Sequence, residues 1–123
     1  MRVMVLVKAT KNSEAEVAPG TKDLVEQMGA FNDQLVKAGV LLAGDGLKPS
    51  RFGKRYIQNT KQVVDGPFAE TKELVAGYWL WQVKSMDEAL EWARRCPDCM
   101  PGEESVLELR PVYSEEEFAE LVK

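Results

Sequence analysis

The chain has 123 residues, 45% hydrophobic and 29% charged, the composition of an ordinary globular protein, so one domain over 1–123 is expected, burying roughly two-thirds of the surface its unfolded form exposes. Its 16 basic and 20 acidic residues leave a charge of −4 with the signs interleaved, which offers phosphates no basic stripe and argues against nucleic acid as a direct partner. There is no histidine, which removes Ser/His and Cys/His catalysis, proximal-histidine haem and nearly all zinc sites.

In chain order, Val3–Val7 is β-branched or aliphatic at every position, as expected of a central strand. The apolar run is short and no small-residue cleavage site follows, so it reads as a strand and not as a signal peptide. A polar stretch ends at Pro19-Gly20. Thr21 is placed to cap a long helix carrying Leu24, Val25, Met28, Phe31, Leu35 and Val36 at helical spacing, with Gly39 as its stop. Val40–Ala43 predicts a short strand running into Gly44-Asp45-Gly46, and Lys48–Lys54 a loop.

Arg55–Gln58 and Gln62–Val64 predict a hairpin turned at Asn59-Thr60-Lys61. After the loop carrying Asp65-Gly66-Pro67-Phe68, Gly77–Val83 has the composition of a buried strand. Ser85-Met86-Asp87-Glu88 fits a capping box, opening a helix with Met86, Ala89, Leu90, Ala93 and Cys96 on one face and Trp92 off it. Pro97 stops that helix. Ser105–Val112 is the last strand, and a second capping box, Ser114–Glu117, opens a short helix expected to turn Phe118, Leu121 and Val122 inward.

The order β-α-β-(hairpin)-β-α-β predicts an α+β fold, a ferredoxin-like split βαβ sheet with an inserted hairpin. Helices cover one face of such a sheet. Val3, Val5, Val7 oppose Met4, Leu6 on one strand, and Trp79, Trp81, Val83 oppose Tyr78, Leu80 on another, so both faces need cover. A second copy packed sheet to sheet supplies it, and a homodimer with a barrel-like core is expected. No apolar stretch approaches the roughly 20 residues of a bilayer span, so the expected location is cytoplasmic, with no membrane partner.

Asp65-Gly66-Pro67-Phe68-Ala69-Glu70-Thr71-Lys72-Glu73, followed by Gly77-Tyr78-Trp79, resembles the signature of the DGPF branch of the YCII-related family. The resemblance extends through Ala89–Ala93, Cys96-Pro97 and Glu108–Val112, nearly the whole chain. It implies a dimeric α+β barrel, and it leaves the reaction or ligand open. It also implies an alternative role, a regulatory or interaction module tied to an extracytoplasmic-function sigma factor circuit, because DGPF members are often encoded beside such factors. YCII-type relatives are thought to use a histidine on the first helix with an aspartate. Here Gln27 or Met28 stands near that place, so the pair cannot be carried over, and its acidic member would be Asp65 or, in the loop after the second strand, Asp45.

The residue before a proline is pushed out of helical conformation, and Pro67 suits the second position of a turn over Gly66–Ala69, so the motif makes a rigid corner. Such a corner can fix a functional carboxylate, Asp65, or Asp65 can simply bond the turn's own amides while Phe68 anchors it. Glu70, Lys72 and Glu73 follow closely and are candidates for holding a small polar ligand, the alternative being surface charge. Arg51, Lys54 and Arg55 offer the cationic side of a pocket for an acidic metabolite, against a plain reading as solvated loop charge. Tyr78, Trp79 and Trp81 fit packing better than a cavity lining, with Tyr78 as a potential donor.

Cys96-Pro97-Asp98-Cys99 has the spacing of a redox motif but follows a helix C-terminus, where the helix dipole opposes a thiolate. No metal and no cofactor are expected; Asp65, Glu70 and Glu73 lack calcium-loop spacing. The function that best fits is a small-molecule-binding domain, or a carboxylate-dependent enzyme with Asp65 as acid or base and the hairpin loop completing the pocket.

Overall fold

The computed structural model describes residues 1–17 and 22–123. The expected cap at Thr21 and the Pro19-Gly20 break lie outside the described residues. The elements in chain order are β1 (Arg2–Lys8), α1 (Lys11–Glu14), α2 (Lys22–Lys37), β2 (Leu41–Gly46), β3 (Lys54–Ile57), β4 (Gln62–Asp65), β5 (Val75–Gln82), α3 (Met86–Arg95), β6 (Leu107–Pro111) and α4 (Glu115–Leu121). Single 3₁₀ turns occur at Ser50–Phe52 and Thr71–Glu73.

Four strands form one antiparallel sheet in the order β2-β5-β1-β6, and β3 and β4 pair apart as a two-stranded hairpin. This is the strand order that a split βαβ lays down, so the expected α+β architecture and inserted hairpin are both present. Gly39 closes α2 with a φ of +72°, a conformation open to glycine without a Cβ penalty.

Strand alternation decides the two faces of the sheet. Val3 opposes Trp81 and Val5 opposes Trp79, and these four side chains point toward the helices with 7% exposure or less. Phe31 and Leu35 of α2 and Ala89 of α3 close over them. Phe31 meets Trp79 edge-on at 5.8 Å, Trp81 at 6.3 Å and Trp92 at 6.5 Å, so one ring organises three indoles. Burying each such large side chain contributes roughly 1.5–3 kcal/mol. The opposite face carries Met4, Leu6, Tyr78 and Leu80, paired in register as Met4 with Leu80 and Leu6 with Tyr78, and each only partly buried.

Several expectations need correction. Trp92 packs against the core and Leu90 stays 42% exposed, so the inward stripe of α3 runs through Ala89, Trp92, Ala93 and Cys96. The ring of Phe31 sets that choice. In α2 only Phe31 and Leu35 are buried, with Met28 packed beside them, while Val25 and Val36 are 74% and 60% exposed. Phe118, Leu121 and Val122 are exposed, not inward; Phe118 meets the Tyr113 ring edge-on at 5.9 Å. The Ser114 box closes reciprocally with Glu117, whereas at Ser85 only half forms. Glu88 there accepts from the Lys84 amide, one residue upstream of the cap. The helical turn α1, capped by Thr10 and Ser13, has no apolar period and escaped the pattern.

Candidate functional site

The corner that begins at Asp65 is held by its neighbours more than by itself. Asp65 closes β4 opposite Lys54 of β3, and their side chains form an ion pair open to water. The next amide, Gly66, donates to the Gly53 carbonyl at 3.0 Å. A Cβ at Gly66 would overlap the Ser50 carbonyl and crowd the Arg51 backbone, so only glycine lets the two loops approach this closely. The Gly66–Pro67 peptide is cis. Beyond it the Phe68 amide donates to the Ser50 hydroxyl at 3.1 Å, so the corner leans on the 3₁₀ turn before β3 and not on a turn of its own.

Ser50 is the hub. Its hydroxyl donates to the Glu14 carboxylate, which also accepts from the Ser50 amide at 2.8 Å. Glu14, at the end of α1, thereby ties the first strand's exit to the motif corner across a long stretch of chain. Arg51 joins the same junction, paired with Glu16 and donating to the Glu14 carbonyl at 3.0 Å.

A cavity of about 450 Å³ opens beside this junction, lined by Glu14, Lys48, Ser50, Phe52, Arg55, Phe68 and Glu73 together with the start of β5. The Arg55 guanidinium lies 3.9 Å from the centre of the Phe68 ring. Arg51 and Lys48 sit 4.6 and 5.5 Å from the Phe52 ring. Three cations therefore surround two aromatic faces, the arrangement that attracts positive charge to ring quadrupoles. Among the described residues Arg55 forms no ion pair, whereas Arg51 and Lys54 do.

The structure brings together only some of the residues that the sequence singled out. Arg55 and Glu73 share the cavity. Arg51 stands at its border, already engaged by Glu16. Lys72 lines a different depression, with Lys8, Thr10, Lys11 and Glu108. Glu70 is exposed ahead of the 3₁₀ turn it precedes. Asp45 and Tyr78 form a separate pair across β2 and β5, with the Tyr78 hydroxyl donating to the Asp45 carboxylate at 3.3 Å. They border a further cavity of about 420 Å³ reached by Met28, Asn32, Trp79, Cys99 and Met100. There Asn32 accepts from the Trp79 indole at 3.0 Å. Among the described residues no three carboxylates or thiols gather closely enough to hold a metal ion.

The model of the YCII-related domain matches residues 1–114. The chain belongs to the YCII-related family. An uncharacterized protein of Rhizobium meliloti (strain 1021) is 33% identical to this chain over 107 residues, covering 82% of the chain and 86% of that protein. Where the resemblance implies a histidine–aspartate pair, Met28 lines the same cavity as Asp45, and a thioether there supplies no base.

In this YCII-related chain, Glu14, Ser50, Lys48 and Phe52 were not found by sequence reasoning. Glu14 and Ser50 lie far apart in sequence, and neither residue type carries a motif of its own. Phe68, expected to anchor the corner, lies outside the buried core cluster, and it is its backbone amide that bonds Ser50. Chemically, the Arg55 cavity offers a planar cation, an aromatic wall, a hydroxyl and an ammonium group, and the Glu14 and Glu73 carboxylates beside them. No helix among the described residues is long and apolar enough to cross a membrane.

Proposed function

We propose that this YCII-related chain works as a homodimeric small-molecule-binding domain whose ligand is a small acidic metabolite held by Arg55. The observation that carries the reading is the Arg55 guanidinium, laid over Phe68 in a cavity of about 450 Å³ and without an ion pair among the described residues. A planar cation already oriented by an aromatic face gives up little freedom on taking a carboxylate bidentately. Lys48 adds a second positive charge, and Ser50 lends a neutral polar edge.

Pairing of two copies is supported by the sheet face bearing Met4, Leu6, Tyr78 and Leu80, opposite the helices. A dimeric α+β barrel would join two such faces. An acid–base role for Asp65 would set the reacting group at the mouth of the hairpin, beside Lys54. The regulatory reading rests on the hairpin itself, where Tyr56, Ile57, Val63 and Val64 are all exposed and available to a protein partner.

The test is a thermal-shift screen against small mono- and dicarboxylic acids, followed by calorimetry. A stabilising acid should bind wild type, and Arg55→Gln should weaken it by about tenfold or more, the loss of roughly 1.4 kcal/mol or above. Binding that is indifferent to Arg55→Gln would refute the assignment. Asp65→Asn that leaves folding and binding unchanged removes Asp65 from the site. Co-purification with a sigma factor, lost on Tyr56→Ser and Val63→Ser together, would support the regulatory reading instead.

A further inference from the structure

The two cysteines sit apart from the Arg55 cavity. Cys96 caps the C-terminus of α3 and Cys99 follows in the loop. Their sulfurs are 3.9 Å apart, and both are only half-buried. The Pro97 carbonyl lies 3.3 Å from the Cys96 sulfur and 3.6 Å from the Cys99 sulfur, so the intervening chain curls back between them. A surface cavity of about 320 Å³, lined also by Ala93, Asp98 and Leu107, gives a small reagent access to both.

We propose that Cys96 and Cys99 form a reversible dithiol–disulfide site, oxidised by low-molecular-weight disulfides of the glutathione type. A disulfide needs its sulfurs about 2 Å apart, and the pair starts close enough that the 97–99 turn need only tighten. The loop that would be locked carries Met100, which is 5% exposed and takes a hydrogen bond from the Thr10 hydroxyl at 3.6 Å. Cys99 and Met100 also line the cavity that holds Asn32 and Trp79. Closing the disulfide thus fixes one wall of that cavity.

The order of events follows from the environment of each sulfur. The hydrogen bond from Cys96 holds the Cys99 thiol below its ordinary range, and the same bond, with burial, pushes the Cys96 thiol up. The helix dipole acts the same way, opposing a thiolate at the cap. Cys99 thiolate attacks one sulfur of the small disulfide, whose S–S bond breaks and whose other half leaves as a thiolate and takes up a proton. Cys96 then loses its proton to solvent and attacks the Cys99 sulfur, expelling the second small thiol. Two protein thiols are oxidised and one small disulfide is reduced to two thiols.

The experiment treats the reduced full chain with excess glutathione disulfide, followed by intact mass and thiol trapping. Wild type should lose both trappable thiols with a mass change of two hydrogens, reversed by dithiothreitol. Cys96→Ser should stop at a glutathione adduct on Cys99, and Cys99→Ser should react more slowly. Retention of both thiols, a persistent adduct on wild type, or cross-linked chains alone would each overturn the proposal. Equal rates for the two serine variants would overturn the order of attack.

Discussion

Replacing Gly66 with alanine tests the corner at its tightest point. The added carbon would meet the Ser50 carbonyl group and the Arg51 Cα, which are backbone atoms and cannot swing aside like a side-chain end. To relieve the overlap, the 66–68 segment must withdraw from the 3₁₀ turn. It would then lose the Gly66–Gly53 and Phe68–Ser50 hydrogen bonds and the stacking of Arg55 on Phe68. At about 1 kcal/mol net for each hydrogen bond and about 0.5–1 kcal/mol for the cation–π contact, the loss is roughly 2.5–3 kcal/mol. For a domain of this size that lowers the melting temperature by roughly 10 °C. The assay is thermal denaturation together with hydrogen exchange at the Gly66 and Phe68 amides, which separates global loss from local opening of the corner. A Gly66→Ala protein with unchanged melting and unchanged protection at both amides would mean that the two loops do not meet as described.

Three further outcomes follow. Asn32→Ala leaves the Trp79 indole donor without its acceptor in a half-buried setting and should cost about 1–3 kcal/mol in denaturant melts; Asn32→Asp, which keeps an acceptor, should retain more of it. Ser50→Ala removes the hydroxyl that joins Glu14 to the Phe68 amide and should raise exchange at Phe68 while leaving the β1 and β5 amides protected. The third concerns pH. Hydrogen bonds from the Ser114 backbone and side chain hold the Glu117 carboxyl below its ordinary range. A folded value lowered in this way stabilises α4 above the unfolded carboxyl range, and that support fades as pH falls through the lowered value. Exchange at the first amides of α4 should therefore rise on acidification, and Ser114→Ala, which removes the side-chain bond but keeps the larger contribution of the backbone amide, should weaken the dependence without abolishing it.

How far the sequence could be read depended on whether the deciding contacts were local. The strand expected over Gly77–Val83 announced itself because Trp79 and Trp81 alternate with Tyr78 and Leu80; the structure places it at Val75–Gln82, paired with β1. The cap at Ser114 was legible because both halves of its box lie within one turn. The inward face of α3 was not. A ten-residue helix with Leu90 and Trp92 on adjacent flanks has two plausible apolar stripes, and the choice belongs to Phe31, distant in sequence. The face of α4 was misread for a related reason: Phe118, Leu121 and Val122 have the right period, but within one chain there is no surface for them to cover. At the candidate site, Arg55 and Glu73, both singled out by residue type and nearness to the motif, line one cavity. Asp65 goes to Lys54 because strand register, invisible in the sequence, sets it opposite that residue. Glu14 and Ser50 escaped because a hydrogen bond across thirty-six positions leaves no spacing to detect.

The most direct measurement is the mass of the particle in solution across a dilution series, by light scattering or sedimentation, for wild type and Leu80→Lys. An interface of ordinary size, about 800 Å² from each partner, needs the sheet face that Leu80 shares with Met4. The account predicts twice the 13.8 kDa chain mass for wild type into the micromolar range, and the single-chain mass for Leu80→Lys with its circular dichroism intact. Wild type that remains at 13.8 kDa at high concentration would contradict it.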